Sequence, residues 1–169
     1  SLSKGTTSGI NSYLITMGYS SSTSNIPTVN TLKSQLSSAK LIHVLSHGAA
    51  GSTVCSNGNL AHTDIGSTSN LKFAFMETCN SGTPSGSYST AGMIKANGAS
   101  SSIGFDSTIS ASTASNGCHY FALVFYAEAD SGYTVSQAAS SALSQLYSNY
   151  VSYYGCQNYV VFGGSTKIN

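Results

Sequence analysis

The sequence predicts an α/β fold, a three-layer α/β/α sandwich around a mostly parallel central sheet, formed as a single domain over residues 1–169. Three observations lead there. Bulky apolar residues gather in short runs, LIHVL, LKFAFM, YFALVFY and YVVF, separated by Ser/Gly-rich stretches, the pattern of buried elements joined by surface loops. Strand-like and helix-like segments alternate along the second half, and parallel neighbours need such crossovers. A chain of 169 residues is long enough to bury one substantial core and too short for a second unit of ordinary size.

In chain order, SYLITM at 12–17, ahead of Gly18, reads as a short strand. A helix fits 28–39, where Thr28 or Asn30 can cap and Val29, Leu32 and Leu36 share a face at three-to-four spacing; Lys40 closes it. LIHVL at 41–45 is an almost continuous apolar run, as expected of a central strand buried on both faces, and LKFAFME at 71–77 repeats the pattern. Residues 48–70, rich in Gly, Ser and Asn, read as a surface excursion beside the site. A helix is predicted over 88–97 with Gly98 ending it, then a strand at 100–105. A long apolar helix follows from about 117 to 129, and a second starts where Thr134 precedes Val135 and Gln137. YVVFG at 159–163 supplies the last strand.

Composition removes several function classes. Charged residues make up 7% of the chain against a typical value of roughly 25%, and Ser, Thr, Asn, Gly and Tyr take their place. Net charge is +1, with six Lys, no Arg and no basic run, so nucleic acid is not an expected partner. No apolar stretch approaches the roughly 20 residues of a membrane span. The four cysteines form no CxxC pair, so neither a structural metal nor a thioredoxin-like site is expected, and no cofactor is implied. If Cys79 keeps its thiol, the chain has at most one disulfide; Cys118 with Cys156 is a guess, and the pairing among Cys55, Cys118 and Cys156 stays open.

Two segments carry chemistry. LIHVLSHG and FAFMETCNSG are each an apolar strand ending in a reactive residue followed by small ones. In open α/β sheets functional groups gather beyond the carboxyl ends of the strands, and neighbouring strands lie about 4.8 Å apart, so His47 and Cys79 could share one substrate carbonyl. A cysteine thiol is mostly protonated at neutral pH, so catalysis needs an imidazole to favour the thiolate or to move protons during acyl transfer. The backbone N–H groups of Gly48 and Cys79 are the candidate oxyanion donors, since glycine lets a substrate approach the backbone closely. An isolated SHG reads better as a loop histidine, and an isolated Cys after an apolar run as a small hydrophobe; the pairing of the two segments reverses both. His43 is expected to pack or hydrogen-bond within its strand, His62 to be a solvated loop residue, and His119, beside Cys118, to have no role comparable to His47.

SHG at 46–48 and ETCNSG at 77–82, 32 residues apart between His47 and Cys79, resemble the caspase, legumain, gingipain and clostripain clan of cysteine peptidases. IGFDSTIS at 103–110, FALVFYAEADSG at 121–132 and TVSQAASSAL at 134–143 are similar to the later strand and helices of prokaryotic caspase-like domains, so the resemblance runs from about residue 40 to the end. It implies a caspase-like domain with a His47/Cys79 dyad cleaving peptide or protein substrates, and a specificity pocket built partly after the nucleophile strand and partly from the strand that follows. The chain is shorter than a complete two-subunit caspase domain, so a pro-segment or regulatory domain outside it is an expected partner.

Asp106 falls where a carboxylate could meet a Lys or Arg side chain, and Glu77 shares the strand face of Cys79, to line the same pocket or serve the fold. The absence of Arg disfavours Asp specificity, because an acidic substrate residue is usually held by a guanidinium fork. Cleavage after a basic residue is therefore expected, with Asn or a small residue next. Asp64, Glu128 and Asp130 are too scattered for a calcium site, although some relatives bind calcium. Two other readings stay open, a non-catalytic caspase-like binding module and a hydrolase or transferase acting on another acyl group. The Ser/Thr/Tyr-rich surface resembles that of exported bacterial proteins, which points to a secreted or cell-surface location, the cytoplasm being the alternative.

Overall fold

The computed structural model describes residues 2–24, 26–110, 117–149 and 155–169. They form mixed α/β structure in two compact units, each drawn from separate stretches of chain: Ser24–Thr108 with Asn158–Gly163, and Ser1–Thr23 with Ile109–Gln157 and Gly164–Asn169.

The first unit holds the sheet. Strands β1 (Leu41–Leu45), β5 (Phe73–Glu77), β6 (Ser102–Phe105) and β7 (Tyr159–Phe162) form a four-stranded sheet in the order β1-β5-β6-β7. The β1–β5 and β5–β6 pairs are parallel and β7 runs antiparallel to β6, so the sheet is mostly parallel. All five residues of β5 are buried, as its unbroken apolar run requires. β1 differs from the expected central strand: it lies at the sheet edge, with only Val44 buried and Leu45 exposed. A five-residue apolar run does not distinguish these positions, because one well-covered face suffices to select it.

Helix α2 (Val29–Ser38) starts at Thr28, whose side chain accepts the Thr31 N–H, and buries Leu32 and Leu36 as their spacing predicts. These leucines join Val44, Ala74, Met76 and Ile94 in one core cluster. Burying such a side chain contributes roughly 1.5–3 kcal/mol. Helix α3 (Thr90–Ala96) is capped by Ser89, which accepts the Gly92 N–H, and the chain turns out of it at Gly98 with φ +119°. The excursion between β1 and β5 is ordered: β2 (Gly48–Ala49), β3 (Ser52–Cys55) and β4 (Gly58–Ala61) make a three-stranded antiparallel sheet, followed by a 3-10 turn at His62–Asp64. Strands of two to four residues rich in Gly, Ser and Asn carry too little alternation to announce themselves.

The second unit is helical. The segment read as a strand at 12–17 belongs instead to helix α1 (Leu2–Thr16). Ile10 is buried, and Tyr13, Leu14 and Met17 continue its face at helical spacing, a pattern that a reading begun at Ser12 cuts short. Gly9 permits close packing on α4 (Cys118–Asp130), since a Cβ there would sit 2.7 Å from a Leu123 methyl. Helix α5 (Val135–Asn149) opens with the expected capping box: Gln137 Oε1 accepts the Thr134 N–H at 3.0 Å, and Thr134 Oγ1 accepts the Gln137 N–H at 3.4 Å. Glu128 ties the two helices by accepting from Ser141 Oγ and Gln145 Nε2. Cys118 and Cys156 are joined as a disulfide with Cα atoms 5.5 Å apart. By loop-closure entropy a cross-link over 38 residues contributes about 4 kcal/mol. No helix among the described residues is long and apolar enough to cross a membrane.

Candidate active site

The site is set by the register of two parallel strands. Leu45 of β1 lies opposite Glu77 of β5, so His47 and Cys79 each follow the last paired position by two residues and leave adjacent strands at the same level. The Ser46 N–H continues the ladder to the Glu77 carbonyl at 3.4 Å. Gly48 is packed against the Thr78–Cys79 segment: a Cβ on it would lie 2.9 Å from the Cys79 carbonyl oxygen and 2.9 Å from Thr78 Cβ and Oγ1. Only glycine fits there without displacing the backbone that carries Cys79.

His47 is exposed, and the small sheet holds its segment from outside. The His47 carbonyl accepts the Val54 N–H at 2.9 Å, and Ser46 Oγ donates to the Val54 carbonyl at 2.8 Å. His47 thus meets Val54 through a single bond at the end of the β2–β3 ladder, which makes the first paired position, Gly48 with Thr53, a non-hydrogen-bonded one. The Gly48 N–H consequently points away from β3.

Cys79 is half-buried and stands outside any disulfide. The turn after it is stitched to the end of β6. Asn80, with φ +55°, donates its N–H to the Ser107 carbonyl at 2.9 Å, and the Gly82 N–H reaches the Phe105 carbonyl at 2.9 Å. Ser81 Oγ lies 2.8 Å from both the Met76 and Thr78 carbonyls, one of which takes its proton, and accepts the Phe105 N–H at 3.1 Å. Asn tolerates the left-handed conformation, which lets the chain turn sharply beyond the sulfur.

These stitches bring Asp106 to the site. Its N–H donates to the Asn158 carbonyl at 2.7 Å, while its exposed carboxylate accepts from Thr83 Oγ1 at 2.6 Å. Glu77 is placed differently. Its side chain is 0% exposed and its Oε2 lies 2.9 Å from His43 Nε2, whose ring stacks on Phe75 at 4.8 Å between centroids. Glu77 therefore offers a substrate no carboxylate surface, and of its two readings the structural one describes its surroundings; His43 packs and hydrogen-bonds across to the neighbouring strand rather than within its own. His62 is half-buried rather than solvated, its Nδ1 donating to the Gly51 carbonyl at 3.1 Å. Cys55 is the other unbridged cysteine, and burial pushes its thiol up, against a backbone hydrogen bond at Leu60 that lowers it. His119 is buried beside the disulfide in the helical unit.

Ser46, Val54 and Thr83, which hold His47 and Asp106, escaped the sequence reading. Only Thr83 gave a signal, as a polar residue continuing the small run after Cys79. Among the described residues no three His, Cys, Asp or Glu side chains converge to hold a metal ion. No protein-family model matches the chain, and no curated protein sequence matches it.

Proposed function

We propose that this chain is a caspase-like cysteine endopeptidase, a three-layer α/β/α domain in which Cys79 is the nucleophile and His47 its proton carrier. The observation that carries the reading is the common exit of His47 and Cys79 from paired parallel strands, with Gly48 pressed against the Thr78–Cys79 backbone. In the reaction the Cys79 thiolate attacks the scissile carbonyl carbon, and its oxygen takes up the charge facing the N–H groups of Gly48 and Cys79. Collapse breaks the C–N bond as His47 delivers a proton to the departing amine. Water then hydrolyses the thioester, releasing the acid and restoring the thiol.

The exposed Asp106 carboxylate, oriented by Thr83, supports a preference for Lys or Arg before the scissile bond through a charge-assisted hydrogen bond. The Cys118–Cys156 disulfide supports an exported location, because such bridges persist in oxidising compartments.

The test is a fluorogenic peptide library varied at the residue before the scissile bond, run on the protein, on Cys79→Ala and on Asp106→Asn. We expect cleavage that Cys79→Ala abolishes. Asp106→Asn should lower turnover of Lys and Arg members far more than of others. Absence of Cys79-dependent cleavage of any member overturns the peptidase reading; an equal loss across all members removes the role of Asp106.

A further inference from the structure

The small sheet has two unlike faces, and the imidazole of the dyad stands on one of them. Burial alternates along β3: Thr53 and Cys55 are buried whereas Val54 is 36% exposed. Residues directly opposite in an antiparallel ladder point their side chains to the same face with Cβ atoms about 4.5–5.5 Å apart. Val54 lies opposite His47 on one side, through its N–H bond to the His47 carbonyl, and opposite Asn59 on the other. The next row on that face is Ala49, Ser52 and Ala61. The reverse face carries Gly48, Thr53 and Leu60, of which Thr53 and Leu60 are fully buried.

The outer face is therefore an uncharged shelf running from the catalytic imidazole through Val54 to Asn59. Chemistry decides which part of a substrate reaches it. The proton that His47 delivers goes to the departing amine, so the chain leaving with that amine must lie on the imidazole's side, away from Asp106 and the turn after Cys79.

Resting on the peptidase reading above, we propose that the outer face of β2–β3–β4 is the subsite for substrate residues following the scissile bond, with Val54 selecting an uncharged, apolar residue at the first of them. Val54 supplies the apolar contact beside the imidazole, and the Asn59 amide, one strand further out, is placed to hydrogen-bond the departing chain. Charged residues at that position lose hydration against a surface with no counter-charge.

The test uses internally quenched peptides with the residue before the scissile bond fixed at the best cleaved and the residue after it varied among Leu, Val, Asp and Lys. The protein should cleave the Leu and Val members about tenfold faster by kcat/KM than the Asp and Lys members, the discrimination an apolar contact of this size supports. Val54→Asp should bring the Lys member to the top of the order, and Val54→Lys the Asp member. Misfolding cannot produce these opposite shifts, because it lowers all members together. Cys79-dependent cleavage with an unchanged rank order in both variants overturns the shelf and leaves the peptidase reading standing. Absence of Cys79-dependent cleavage of every member overturns both.

Discussion

The two strand ends that carry His47 and Cys79 are built to different standards. At the end of β5, Cys79 follows five buried residues, and the turn beyond it is held by Asn80, Ser81 and Gly82, each bonded to the end of β6. At the end of β1, His47 follows an exposed Leu45 on an edge strand, and Val54 of the small sheet supplies the bonds that hold it from outside. Local stability follows buried apolar contact and protected hydrogen bonds, so Cys79 belongs to the firm part of the fold and His47 to a looser margin. Under the proposed function the sulfur is the fixed member and the alignment of the imidazole should decide the rate. Substitutions on the two sides should therefore separate stability from turnover.

The largest effect is expected where the two ends are tied together. His43 and Glu77 form a nearly buried pair linking β1 to β5, four and two residues before His47 and Cys79. Removing Glu77 takes this hydrogen bond from a largely buried imidazole, at a cost of about 1–3 kcal/mol. Glu77→Ala should show that loss in chemical denaturation, and Glu77→Gln, which keeps an acceptor oxygen, a clearly smaller one. Equal losses would mean that packing rather than the pair ties the strands.

Two serines then sharpen the contrast. Ser81→Ala removes the acceptor of the buried Phe105 N–H, and an unpaired buried donor costs about 1–3 kcal/mol. Ser46→Ala removes one bond at an exposed position, for which about 0.5–1 kcal/mol is expected. Turnover should follow a different order. With folded protein confirmed by its melting curve, Ser46→Ala should lower kcat several-fold at unchanged KM, because it loosens the His47 segment. A Ser46→Ala enzyme of normal kcat would show that the Val54 backbone bond alone positions the imidazole.

The same asymmetry governs how much could be read from the sequence. Elements that bury continuous apolar surface or use a cap announce themselves: FAFME, the Thr28 cap with Leu32 and Leu36, the Thr134/Gln137 box and Gly98 all fall where the residues place them. Structure sustained by backbone pairing among small polar residues leaves little trace, which is why 48–70 reads as an excursion although it forms three strands. Helix α1 is hidden for a related reason, since Ser, Thr and Gly dominate its first half and Ile10 falls just outside the run at Ser12–Met17 that reads as a strand. Edge and centre were indistinguishable for LIHVL, because an apolar run records burial and not the number of neighbouring strands. The placement of His47 and Cys79 at neighbouring strand ends was legible because each follows its own apolar run. The residues that hold that placement were not, since Val54 acts through its backbone and the single Ser46 hydroxyl bond has no pattern around it to mark it.

The smallest expected effect tests the seam between the two ends. Gly48 is flanked by Thr78, and by its ladder partner Thr53, both fully buried with hydroxyls that have no hydrogen-bond partner among the described residues. Such a hydroxyl costs desolvation and returns nothing, so replacing it by a methyl of nearly the same shape should be neutral or stabilising by about 1 kcal/mol. Thr78→Val should accordingly melt at or slightly above the temperature of the parent protein with kcat unchanged, because the Gly48 and Cys79 N–H groups proposed as oxyanion donors stay in place. A fall in kcat without loss of stability would instead make the Thr78 hydroxyl a third donor to the developing charge, and Thr53→Val, on the side of Gly48 that faces the small sheet, would then keep its activity.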